Sequence, residues 1–90
     1  MPYTVGRQDR GDIQITYEPM SAGNGIQLKV NTSLERLYGE RIREEIMNSI
    51  REMKITAGKF IAVDDGALPY VIRARVEAVI RLAKEETNEG

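Results

Sequence analysis

The sequence has no histidine, no cysteine and no tryptophan, and only one phenylalanine. These absences remove whole classes of chemistry. Without histidine and cysteine there is no Ser-His-Asp or Cys-His nucleophile pair, no thiolate and no Cys/His zinc site. Without cysteine there are no disulfides, which excludes a small secreted fold held by cross-links and fits a reducing compartment. An excess of one charge is also missing: 13 Lys+Arg against 14 Asp+Glu leave a net charge of −1. Such a chain has no global field to hold a polyanion, so nucleic acid is not an expected partner. Apolar runs extend over only a few residues, so no membrane span is expected, and residues 1–10 lack the apolar stretch of a signal peptide. The expected location is the cytoplasm. What is present is 90 residues, 41% hydrophobic and 30% charged, enough for one small domain with one core. No catalytic cluster stands out, so the chain reads as no enzyme by itself.

Residues 1–11 are polar and contain Pro2, Gly6 and Gly11. They read as a flexible arm. Ile13, Ile15 and Tyr17 then alternate with polar residues, the period of a half-buried strand, which Pro19 stops. Ser21-Ala22-Gly23-Asn24-Gly25 is turn chemistry, and Ile26, Leu28 and Val30 alternate after it. Two such runs around a glycine-rich turn predict a hairpin. The period changes at Thr32-Ser33-Leu34-Glu35, which fits a capping box with Thr32 as N-cap. Leu34, Leu37, Tyr38, Ile42, Ile46, Ile50 and Met53 follow at helical spacing, with Gly39 as a kink or a break before a main helix from Glu40 to Met53. Phe60 to Val63 reads as a third strand. Pro69 suits the first turn of a second helix with the stripe Leu68, Ile72, Val76, Val79, Ile80 and Ala83. The expected fold is α+β: a two-layer β-β-α-β-α sandwich, with a three-stranded sheet covered on one face by two helices. In the expected strand order the first strand lies in the middle, antiparallel to the third. The folded domain is expected over 12–84, with a frayed acidic tail at 85–90.

Arg75 falls on the apolar face with Ile72, Val76 and Val79. A guanidinium there must reach solvent or meet a carboxylate, and Asp12, Asp64 and Asp65 are the candidates. Arg73 lies on the opposite face with Glu77, Arg81 and Lys84, a solvated surface with a Glu77–Arg81 pair. Asp64-Asp65 alone make a weak hard-metal site, because calcium takes six to eight oxygens. A turn before a helix N-terminus explains them better. Arg10-Gly11-Asp12 spells an adhesion tripeptide, read here as coincidence in a chain without cysteine or signal peptide. Ser33 opens a helix, as does the attachment serine of four-helix acyl carriers, but Thr32 precedes it and strands replace the bundle.

Four stretches together resemble a known family. They are Gly11-Asp12-Ile13-Gln14-Ile15, Asn31-Thr32-Ser33-Leu34-Glu35 with Tyr38-Gly39, Asp64-Asp65-Gly66-Ala67-Leu68, and Ile72-Arg73-Ala74-Arg75-Val76-Glu77-Ala78. Over residues 6–83 the chain is similar to the acyl carrier (gamma) subunit of citrate lyase and the delta subunit of malonate decarboxylase. The resemblance implies a non-catalytic cytoplasmic subunit whose serine carries a phosphoribosyl-dephospho-CoA group through a phosphodiester, the thiol of that arm holding an acyl group. Partner subunits of lyase, aldolase or acyl-transferase type would act on it.

The family serine stands immediately before Gly-Asp, and here that position is Arg10, followed by Gly11 and Asp12. Arginine has no hydroxyl, so no arm is expected at Arg10. Pro69 is a second departure, where the family usually has an acidic residue. Two functions follow. One is a carrier-like subunit that has lost the arm and binds a partner as a structural or regulatory piece, with Arg10 suited to the phosphates of a free CoA thioester. The other is a working carrier loaded at another hydroxyl, Thr4, Ser21 or Ser33, or a serine-substituted variant.

Overall fold

The structure, a computed structural model, describes residues 1–87. Six elements follow one another: β1 (Tyr3–Val5), β2 (Ile13–Glu18), β3 (Ile26–Thr32), α1 (Glu35–Glu52), β4 (Gly58–Asp64) and α2 (Pro69–Thr87). The strands form one sheet in the order β1-β2-β4-β3. The expected mixed α+β class with both helices on one face is what forms, but the sheet has four strands and not three. The extra strand comes from the segment read as an arm. Tyr3, Thr4 and Val5 pair antiparallel with Tyr17, Thr16 and Ile15. Three residues are too few to show a period, which is why the pattern does not announce them.

The expected hairpin does not form. β2 and β3 lie apart, with β4 between them, antiparallel to β2 and parallel to β3. The antiparallel pairing of the first and third expected strands is therefore correct, while the order is not. Phe60-Ile61-Ala62-Val63 is the most continuous apolar run, and an interior strand between two neighbours suits it best. The linker from Pro19 to Gly25 can reach across the intervening strand: seven extended residues span up to about 23 Å against the ~10 Å of two strand spacings.

Alternation along the sheet decides which side is buried. Ile13, Ile15, Tyr17, Phe60 and Ala62 face the helices, and Tyr17 stacks on Phe60 with ring centroids 4.4 Å apart. From α1 come Ile42, Ile46 and Ile50, and from α2 Ile72, Val76, Val79, Ile80 and Ala83. The other sheet face carries exposed Gln27, Lys29, Asn31 and Lys59 around half-buried Ile61 and Val63. Among the described residues no helix is long and apolar enough to cross a membrane.

The two helices begin differently. Pro69 is the first residue of α2, as its fixed φ and missing N–H favour. The capping box expected at Thr32 does not form. Leu34 is the N-cap of α1 and makes no side-chain cap bond. Thr32 is still in β3, and its hydroxyl is drawn to Asp64 on the neighbouring strand. Glu35 turns instead to Arg43, which donates two hydrogen bonds to its carboxylate at 2.8 and 2.9 Å. Gly39 makes this reach possible. A Cβ at Gly39 would collide with the Glu35 carboxylate, so the helix runs unbroken through a glycine used for space. Of the tail expected at 85–90, residues 85–87 continue α2, and 88–90 lie outside the described residues.

α1 ends with bonds from the Lys54 N–H to the Arg51 carbonyl at 2.9 Å and from the Ile55 N–H to the Ile50 carbonyl at 3.2 Å. This is a Schellman closure, with Lys54 at φ 61 where glycine is usual. Lys54→Gly is expected to raise stability by about 0.5–1 kcal/mol, since the side chain is exposed and its backbone is strained. Ile46→Ala, at a fully buried position, is expected to cost about 2–5 kcal/mol. Denaturant midpoints at constant slope measure both.

Candidate functional site

The ends of the parallel strands and the starts of both helices meet at one pole. Thr32, the last residue of β3, is in register with Asp64, the last of β4, and Asp64 also faces Ile13 at the start of β2. Asp64 is 4% exposed. It accepts the Thr32 hydroxyl at 2.8 Å and the N–H groups of Gly66 and Ala67 at 3.1 and 3.0 Å. Thr32 Oγ1 in turn accepts the Leu34 N–H at 3.1 Å. One buried carboxylate thereby shapes the β4–α2 loop and, through a threonine, the entry to α1. Asp64 is spent on structure, as the turn reading of Asp64-Asp65 supposes.

The segment 6–12 lies against this loop. The Gly11 N–H donates to the Asp65 carbonyl at 2.6 Å, and the Asp65 N–H to the Asp12 carbonyl at 3.0 Å. Asp12 holds the segment in place. Its Oδ1 accepts Ile13 N–H at 2.7 Å and Arg75 Nε at 3.0 Å, and its Oδ2 accepts Arg75 Nη2 at 2.9 Å and Arg7 N–H at 3.2 Å. The fork of Arg75 meets the carboxylate bidentately, the strongest geometry for such a pair. Of the candidate partners for Arg75, Asp12 is therefore the one. Arg75, with its hydrogen bonds foremost, holds the Asp12 carboxyl below the usual carboxylate range against the opposing effect of burial. Gly6, at φ +82, lies so close to the Ile13 carbonyl and the Arg75 stem that no side chain fits there.

Arg10 stands at the corner of a tight turn. The Asp12 N–H donates to the Asp9 carbonyl at 3.0 Å, which closes a four-residue turn with Arg10 and Gly11 in the centre. Gly11 takes φ +81, the conformation of the third position in a type II turn. Arg10 is exposed and has no ionic partner among the described residues. The structure therefore brings Arg10, Gly11 and Asp12 into one turn with three separate duties: an outward side chain, a left-handed backbone and an inward carboxylate. An adhesion reading of the tripeptide does not suit a carboxylate already held by Arg75.

Beside the β4–α2 loop lies a groove of about 460 Å³ between the first turns of the helices, walled chiefly by Leu34, Tyr38, Ile42, Leu68, Pro69 and Ile72, with Arg41 and Glu45 at its edge. Helical spacing groups Leu34, Leu37, Tyr38 and Leu68 with the apolar stripes of the two helices. They are exposed instead, Leu37 by 74% and Leu68 by 56%. Leu37 lies roughly 140–180° around α1 from Ile42, Ile46 and Ile50 and so faces away from the core, while Leu34, Tyr38 and Leu68 stand at the helix entries. Arg73 also departs from its simple solvated role. It remains half exposed, yet it bonds Glu45 of α1 at 3.4 Å and so ties the helices together. The Glu77–Arg81 pair is present at 3.5 Å.

A profile of the acyl carrier family described as malonate decarboxylase delta subunit (MdcD) matches residues 2–83. The chain belongs to this family. The citrate lyase acyl carrier protein of Fusobacterium nucleatum subsp. nucleatum is 34% identical over 84 residues, 93% of this chain and 88% of that protein. That of Latilactobacillus sakei subsp. sakei is 36% identical over 85 residues, covering 92% and 82%. A chain in the crystal structure of a Pseudomonas malonate decarboxylase hetero-tetramer in complex with malonate superposes with a TM-score of 0.60 at 24% identity, covering 90% of this chain and 81% of that one. This last likeness concerns the fold. The citrate lyase and malonate decarboxylase carriers form one family with this chain. Gly11, Asp12, Asp64, Gly66 and Arg75, from the stretches that carry the resemblance, all shape this pole.

The Asp12–Arg75 pair makes a signed prediction. Folding favours the ionised carboxyl, so its contribution is complete above the unfolded value of about 4 and is lost as pH falls through the lower folded value. Arg75→Met is expected to cost on the order of 1 kcal/mol at neutral pH, the guanidinium being 39% exposed. The gap between wild type and variant should close as pH drops below about 4. Urea unfolding from neutral to acid pH measures it, with Arg73→Met as the comparison that keeps the gap small throughout.

Proposed function

We propose that the chain is a non-catalytic, acyl-carrier-like subunit of a citrate lyase- or malonate decarboxylase-type complex, one that has kept the carrier fold without the covalent arm. The observation that supports this reading is Arg10 at the exposed corner of the Asp9–Asp12 turn. The corner has what an attachment point needs from the backbone: exposure and a following glycine that leaves the approach open. It lacks the nucleophile. A phosphodiester to the protein needs a side-chain oxygen to bond phosphorus, and a guanidinium offers only nitrogen donors. The residues of this turn do not fit a covalently held phosphoribosyl-dephospho-CoA group.

Ser49, Thr4 and Ser21 are poorer substitutes. Ser49 is 1% exposed and donates to the Glu45 carbonyl at 2.9 Å. Thr4 lies in β1 and shares a hydrogen bond with Thr16 at 3.0 Å. Ser21 sits in the β2–β3 loop, away from the Gly-Asp turn in sequence. In this reading the subunit binds lyase-, aldolase- or acyl-transferase-like partners as a structural or regulatory component.

The mass of the intact protein from its native host tests the reading. It should equal that of the bare chain, with or without the initiator methionine. Arg10→Ser should then gain the mass of one phosphoribosyl-dephospho-CoA unit on incubation with a citrate lyase-type loading enzyme. A wild-type chain carrying that group at Thr4, Ser21 or Ser33 would establish a working carrier instead.

A further inference from the structure

Large apolar side chains are exposed mainly at one pole. Apart from Met1 and Met20, the exposed ones are Leu34, Leu37, Tyr38, Leu68 and Tyr70, which all belong to the entries of α1 and α2. Leu37 and Tyr70 are 74% and 71% exposed. Leu34, Tyr38 and Leu68 also wall the groove, so the apolar surface is concave. Clustered exposure of this kind on a small soluble domain marks an interaction site.

The charges at the groove are not balanced. Glu45 is taken by Arg73 at 3.4 Å. Asp64 is buried and accepts the Thr32 hydroxyl and two loop N–H groups. Glu35, in the first turn of α1, is held by Arg43. Arg41 lines the groove, is exposed, and has no ionic partner among the described residues. The carboxylates are thus satisfied within the chain and the lining guanidinium is not. An occupant that completes this surface is apolar at its centre and anionic at one edge.

We propose that this pole docks a partner subunit, which inserts an apolar side chain among Leu34, Tyr38 and Leu68 and places a carboxylate on Arg41. The proposal rests on the subunit reading above and adds the surface and the chemistry of the contact. An anionic membrane surface is another occupant the test separates, since Arg10 leaves a further exposed guanidinium at this pole.

The test is photo-crosslinking of the full chain in its native host. p-Benzoylphenylalanine is placed singly at Leu37, at Leu68 and, on the open sheet face, at Lys29, and crosslinked peptides are sequenced by mass spectrometry. Leu37 and Leu68 are exposed, so these changes leave the core intact, which circular dichroism checks. The expected result is one partner chain captured from both polar positions, at a segment with Asp or Glu beside an aliphatic or aromatic residue. Arg41→Glu should cut that yield about tenfold, since it faces like charges, while Arg41→Lys should largely keep it. Crosslinks to a second copy or to lipid, or equal yields from Arg41→Glu and wild type, overturn the proposal. A partner captured from Lys29 with both polar positions silent overturns the surface and leaves the subunit reading standing. Silence at all three positions, with the protein migrating as a free monomer, overturns both.

Discussion

Asp12 ties its own segment to two parts of the chain that are distant in sequence, α2 and the loop after β4. Its carboxylate binds the side chain of Arg75 in α2, the backbone of Arg7 in the preceding turn, and the N–H of Ile13 where β2 begins. Its own carbonyl accepts the Asp65 N–H from the loop after β4. Without this carboxylate the Arg75 guanidinium would lie against an apolar helix face with no counter-charge, and the turn before β2 would lose its anchor. A partly buried bidentate pair of this kind contributes modest net stability, because desolvation offsets much of the attraction. Its greater effect is positional: it sets the turn bearing Arg10 against the loop that leads into α2.

A second carboxylate, 52 residues further along the chain, does similar work. Asp64 gathers the Thr32 hydroxyl and the loop N–H groups, and Thr32 passes the order to the entry of α1. The strand ends and helix starts are thus fixed by two acids with different environments. One is opposed by an arginine. The other is surrounded by neutral donors. Both are committed within the domain, so the exposed chemistry of this pole includes the guanidiniums of Arg10, Arg36 and Arg41 and the apolar side chains of the helix entries.

Much of this was legible in the residues. Alternation at Ile13/Ile15/Tyr17 marks β2, and the stripes Ile42/Ile46/Ile50 and Ile72/Val76/Ile80 mark the buried faces of the helices. Arg75 on an apolar face demanded a counter-charge, and a short set of aspartates could supply it. The missing parts are those that depend on distant pairing. Nothing local in Ile26 to Thr32 says that its neighbour is a strand some thirty residues later rather than the one before it. Tyr3-Thr4-Val5 forms a strand because the β2 edge is available, not because its own pattern requires one. Thr32 had two uses for its hydroxyl, capping α1 or binding Asp64, and only the register of β3 with β4 decides between them. The exposure of Leu37 is different in kind: five and nine residues before Ile42 and Ile46, it falls on the opposite face of α1.

The turn itself explains how position 10 can vary independently of the fold. Every structural demand of residues 6–12 falls on other residues. Gly6 provides close approach, Gly11 the left-handed backbone, and Asp12 the anchor, while position 10 contributes an outward side chain at a corner. A residue there is constrained by what it reaches outside the domain rather than by packing within it. The groove is similarly independent, because its apolar walls come from the helix entries and not from the turn. On the proposed reading, a carrier domain could exchange its nucleophile for an arginine without altering the surface that meets its partner. On that reading, attachment chemistry and docking chemistry would fall on separate residues held together by Asp12 and Asp64, so that loss of the first would leave the physical basis of the second intact.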